Sequence, residues 1–86
     1  LLDNPRLMER DVLKIASRRP GSPAIMKVLA GHRKWSKRYP VRRALAANPY
    51  TPPRIAIALL EFLMARDLKE ISADDTLHPQ VRLSAG

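Results

Sequence analysis

Asn48-Pro49-Tyr50-Thr51-Pro52-Pro53 stands between Ala44-Leu45-Ala46-Ala47 and Arg54-Ile55-Ala56-Ile57-Ala58-Leu59-Leu60. How that junction is read decides the fold. Proline fits the first turn of a helix, where its missing N–H would have no partner. A Ser, Thr or Asn just before it can cap the free amides of that turn. The junction therefore ends one helix and opens another. The same punctuation recurs at Asn4-Pro5, Ser22-Pro23, Tyr39-Pro40 and His78-Pro79. Short helices opened at intervals imply a helical array. No stretch alternates with period two, so the expected class is all-α.

Downstream of the junction the sequence predicts a helix over 52–64, with Thr51 as its cap. From Ile55 to Met64 the only charge is Glu61. A helix apolar on nearly every side is expected to be covered on nearly every side. It is thus expected to be the central helix, with Leu59 and Phe62 in the core, each costing ~2–5 kcal/mol on truncation to Ala. A first helix is expected over 8–18, with Met8, Val12, Ile15 and Ala16 on one face. A second is expected over 23–30, capped by Ser22 and stopped by a left-handed Gly31. Its apolar stripe is Ile25, Met26, Val28 and Leu29. Residues 32–39 admit a loop, a short turn or half of a kinked helix. The preferred reading is a turn at 33–36, then a helix from Pro40 to Ala47 with Asn48 as C-cap. A fifth helix is expected over 66–73 with Leu68 and Ile71 inward. Asp74-Asp75-Thr76 reads as a polar turn, and 79–85 as a sixth helix.

At 86 residues the chain holds at most one domain, 1–86. It lacks an initial Met and stops inside a helix-like segment, which reads as a fragment or small member of a longer array. There is no cysteine, which excludes disulfides and thiolate metal sites and fits a reducing, cytoplasmic setting. No apolar run approaches the ~20 residues of a membrane helix. The net charge is +8, and its distribution matters more than its size. Between Asp11 and Glu61 there is no acid, while Lys14, Arg18, Arg19, Lys27, Arg33, Lys34, Lys37, Arg38, Arg42, Arg43 and Arg54 all lie there. Such a block makes a positive field and favours anionic partners.

Some segments align with one another. Pro40-Val41-Arg42-Arg43-Ala44-Leu45-Ala46 matches Pro79-Gln80-Val81-Arg82-Leu83-Ser84-Ala85 with a shift of one, so that Val-Arg recurs 40 residues apart. A Pro-x-Val-Arg-x-x-Ala helix after a short acidic turn resembles the second helix of a HEAT repeat. Residues 44–53, Ala-Leu-Ala-Ala-Asn-Pro-Tyr-Thr-Pro-Pro, resemble the leucine-rich repeat variant. The whole chain is similar to short bacterial proteins of HEAT-like repeat type. The resemblance implies a right-handed α-solenoid of antiparallel helices, each repeat touching its neighbours, with the arginine after valine paired to an acid such as Asp74 or Asp75. Residues 32–39 interrupt a regular period. The cysteine cluster of one leucine-rich variant protein is absent, so an iron–sulfur cofactor is not carried over.

Sites for chemistry are sparse. His32 and His78 are 46 residues apart with no ligand spacing around them, and read as a loop residue and a cap. No Gly-x-Ser-x-Gly elbow, phosphate-cradling glycine loop or carboxylate pair within the basic half is present. The expectation is a protein without enzymatic activity, cofactor or metal. The candidate anion-binding residues are Arg33, Lys34, Trp35, Lys37, Arg38, Arg42 and Arg43, because cations neutralise phosphates and aromatics such as Trp35 and Tyr39 stack on bases. HEAT-like arrays that hold DNA in a basic groove offer an analogy at fold level. Against this, Trp35 and Tyr39 at i and i+4 can serve as core. The preferred function is a scaffold or protein-interaction module, and the alternative is nucleic-acid or other polyanion binding through 33–43.

Overall fold

Local signals start most of the helices. In the computed structural model, which describes residues 4–86, six α-helices are found and no strand is present among the described residues. Helix α1 is Glu9–Ser17, α2 Pro23–Ala30, α3 Tyr39–Ala46, α4 Pro53–Leu60, α5 Ala65–Ser72 and α6 Pro79–Ala85, with a 3-10 turn at Trp35–Lys37. The Asp11 carboxylate accepts the Met8 N–H at 3.0 Å and, with Glu9, occupies the positive end of the α1 dipole. Ser22 Oγ accepts the Ile25 N–H at 3.4 Å, ahead of Pro23. His78 Nδ1 accepts the Gln80 N–H at 3.1 Å, ahead of Pro79.

The ends of the helices correct several expectations. Gly31 is not left-handed: its φ is −99°, and its N–H simply continues the ladder to the Lys27 carbonyl. Thr51 does not cap α4. Pro52 occupies the cap position, and Thr51 is buried with no hydrogen-bond partner for Oγ1 among the described residues. Helix α4 ends at Leu60 rather than 64. The Phe62 and Leu63 amides bond back three residues, to Leu59 and Leu60, and this tightening ends the helix. Met64 is then extended, and α5 restarts at Ala65. Phe62 is consequently 55% exposed and not core. Ile25 and Val28 on α2 and Met8 before α1 also face solvent, whereas Met26 and Leu29 are buried.

Helix α3, not α4, makes the most extensive contacts. It packs on α1, α2, α4 and the 3-10 turn, while α6 packs on α4 and α5. In both halves of the molecule a proline-opened third helix thus lies back on the first. The two third helices also match in detail. Val41 and Val81 are buried, as are Leu45 and Ala85 one turn later. Arg42 Nε donates to the Ser36 carbonyl at 2.7 Å, and Arg82 Nε to the Ser72 carbonyl at 3.4 Å. Arg82 reaches Asp75 at 3.1 Å, the type of pair expected from the sequence, but Arg42 has no acidic partner among the described residues.

One contiguous core joins the halves, from Val12 and Ala16 through Leu29, Trp35, Val41 and Leu45 to Leu59, Ile71 and Val81. The junction at Asn48 is fastened by that residue. Asn48 lies just past the α3 cap at Ala47 and is 2% exposed. Its Nδ2 donates to the carbonyls of Ala16 at 2.7 Å and Arg18 at 3.1 Å, and its Oδ1 accepts the Tyr50 N–H at 2.9 Å.

Candidate binding surface

The basic segment opens with a turn whose shape follows from His32. His32 Nδ1 accepts the N–H groups of Lys34 and Trp35, both at 3.2 Å. The Ser36 hydroxyl donates to the His32 carbonyl. This wraps the chain into the 3-10 turn and sends Trp35 inward, where it is 4% exposed. The Lys34 ammonium sits 4.5 Å from the centroid of that ring.

Three of the candidate arginines are engaged within the fold. Arg38 Nε bonds Glu9 at 2.9 Å, and this bond holds the Glu9 carboxyl below the usual carboxylate range. Arg42, besides its bond to Ser36, lies 4.7 Å over the Phe62 ring. Arg43 bonds Asp67 at 2.9 Å and Glu70 at 3.4 Å.

Asp67 is the residue that sequence reasoning missed. An acid in the first turn of a helix reads as a solvent-facing complement to the dipole, yet Asp67 is buried. The Tyr39 hydroxyl donates to it and in turn accepts the Met64 N–H at 3.0 Å. The Tyr39 hydrogen bond first, then Arg43 and Arg66, keep its carboxyl below the usual range, against the opposing effect of burial. Tyr39, Arg43 and Asp67 thereby tie α3 to α5 across 24 to 28 residues of chain.

Arg33, Lys34 and Lys37 remain exposed and make no ion pair among the described residues. The seven candidates thus divide by what each side chain does in the fold. The structure buries Trp35, uses Arg38, Arg42 and Arg43 as cross-links, and displays Arg33, Lys34 and Lys37. Two clefts flank the segment. One, of about 660 Å³, lies between Pro5–Glu9 and the side chains of Lys34, Trp35 and Arg38. The other, of about 420 Å³, is walled by Tyr39, Arg43, Arg66, Asp67 and Glu70. Among the described residues no group of three or more His, Asp or Glu gathers as a metal would require. No described helix is long and apolar enough to cross a membrane. No protein-family model matches the chain, and neither a curated protein nor a solved structure matches it.

Proposed function

We propose that this chain is a non-enzymatic protein-interaction module of the HEAT-like or leucine-rich repeat variant type, acting in the cytoplasm without a cofactor. The observation that carries the reading is the division of labour in the basic segment. Arginines that bond Glu9, Ser36, Asp67 and Glu70 serve the fold, and a buried indole offers no face for base stacking. What remains at the surface is a mixed basic and apolar relief, with Met8, Ile25, Val28, Phe62 and Met64 exposed. Apolar side chains rimmed by charge are the usual makings of a protein-binding surface. The repeat reading is supported by the matching third helices α3 and α6 and by the repeated packing of α3 on α1 and of α6 on α4. A right-handed superhelical stack extends this pattern.

Polyanion binding is the second reading, favoured by the exposed Arg33, Lys34 and Lys37. Salt-titrated fluorescence anisotropy with a labelled single strand and a duplex separates the two. The protein-interaction reading expects weak binding that vanishes by ~150 mM salt. Sub-micromolar binding that survives that salt and is lost in Arg33→Glu overturns it.

A further inference from the structure

The cleft of about 660 Å³ beside Trp35 combines two kinds of wall. Its apolar part is Leu7, Met8 and Trp35, and Met8 is 56% exposed although it precedes a buried helix face. Its polar part is Arg6, Lys34 and Arg38, with Glu9 the one carboxylate among the described lining residues. That carboxylate is already held by Arg38. The Arg6 and Lys34 charges meet no carboxylate among the described residues, and Lys34 is fixed over the indole at 4.5 Å. An anionic occupant would therefore find two uncompensated cations around an apolar floor. The volume lies within the roughly 300–1,000 Å³ of clefts that bury small ligands, enough for one or two side chains rather than a whole helix.

We propose that this cleft seats an acidic peptide segment, one apolar side chain resting on Leu7 and Met8 beside the nearly buried Trp35 while flanking carboxylates meet Arg6 and Lys34. The proposal rests on the protein-interaction reading above and names the partner's chemistry and its place. Charge complementarity selects the peptide. A nucleic acid would find the cations but no exposed ring to stack on, because Trp35 is only 4% exposed and Lys34 lies over its ring. The apolar anchor supplies affinity and the charges supply orientation and encounter rate.

Trp35 is the only tryptophan of the chain, so its emission reports the cleft directly. The probe is a glutamate-rich dodecapeptide with one central leucine, titrated into the full chain at fixed ionic strength. The expected result is a saturable change in Trp35 emission. Replacing the peptide's leucine by alanine should weaken binding at least about tenfold. Lys34→Glu should weaken it about tenfold, whereas Arg54→Glu, on exposed α4 surface outside the cleft, should change it less than about twofold. Lys34 is exposed, so far-UV circular dichroism of that variant should match the parent. Equal binding of the leucine and alanine peptides, or equal effects of the two charge reversals, overturns the proposal in favour of a diffuse field. An equally charged oligothymidylate that displaces the peptide overturns both the proposal and the protein-interaction reading. If the cleft stays silent while amide shifts move at Ile25, Val28 or Phe62, the cleft proposal fails and the interaction reading stands.

Discussion

Replacing Asn48 by aspartate reverses the polarity of two contacts at the junction between the two halves of the molecule. The amide nitrogen of Asn48 donates to the carbonyls of Ala16 and Arg18, at the C-terminal end of α1, where carbonyls lack helical partners. Its amide oxygen accepts the Tyr50 N–H. Only one amide orientation satisfies all three. At about 1 kcal/mol net for each bond, Asn48→Ala should cost about 3 kcal/mol. A chain of this length has a total stability of roughly 4–13 kcal/mol. The melting temperature should therefore fall by about 12–24 °C. Asn48→Asp keeps the shape and the bond to Tyr50 but aims a carboxylate at two carbonyl oxygens. It should be less stable than Asn48→Ala at pH 7. Burial and the facing carbonyls raise the folded pKa of the introduced carboxyl above its unfolded value of about 3.9. Its penalty should shrink as pH falls through that raised pKa, because the protonated acid regains a donor. Urea unfolding followed by circular dichroism at pH 7 and pH 5 measures both effects. Equal midpoints for the two variants at pH 7, or no gain for Asn48→Asp on acidification, would refute the reasoning.

Thr51→Val should raise the unfolding free energy by about 1 kcal/mol, since the buried hydroxyl it removes has no partner; a lower melting temperature would show that the hydroxyl is satisfied. Leu59→Ala should cost ~2–5 kcal/mol, while Phe62→Ala, at an exposed ring under Arg42, should cost less than about 1 kcal/mol; denaturant midpoints of the pair check the shortened α4. Asp67 has a depressed folded pKa, so its contribution is present above the ordinary carboxylate range and is lost as pH falls below about 4. Asp67→Asn should flatten that acid limb of the stability curve, leaving the part due to Glu9 and Asp74, whose carboxyls are also depressed; an unchanged limb would remove Asp67 from the acid response.

The fold was legible where the determining chemistry is local. Pro23 and Pro79 with Ser22 and His78 before them start α2 and α6 at the expected residues. The Asp74–Thr76 turn is likewise built from its own side chains, with Asp74 accepting from the Thr76 amide and hydroxyl. Legibility fell where a residue answers to distant partners. The apolar run through Met64 carried no breaker, so the end of α4 at Leu60 was invisible, and so was the exposure of Phe62. Asn48 reads as a C-cap by type, but its partners lie 30 and 32 residues away. The basic cluster was visible as composition. Which arginines cross-link the helices depends on acids at Glu9, Asp67 and Glu70, all outside the acid-free block.

That division of the basic segment is the most direct point of attack. Urea unfolding of single alanine variants at Arg33, Lys37, Arg42 and Arg43 should leave the first two midpoints unchanged, within ~0.5 kcal/mol. Arg42 and Arg43 should both lower the midpoint, by detaching the Ser36 carbonyl and the buried Asp67 carboxylate. Four equal midpoints, or destabilisation confined to Arg33 and Lys37, would contradict the split between structural arginines and displayed cations.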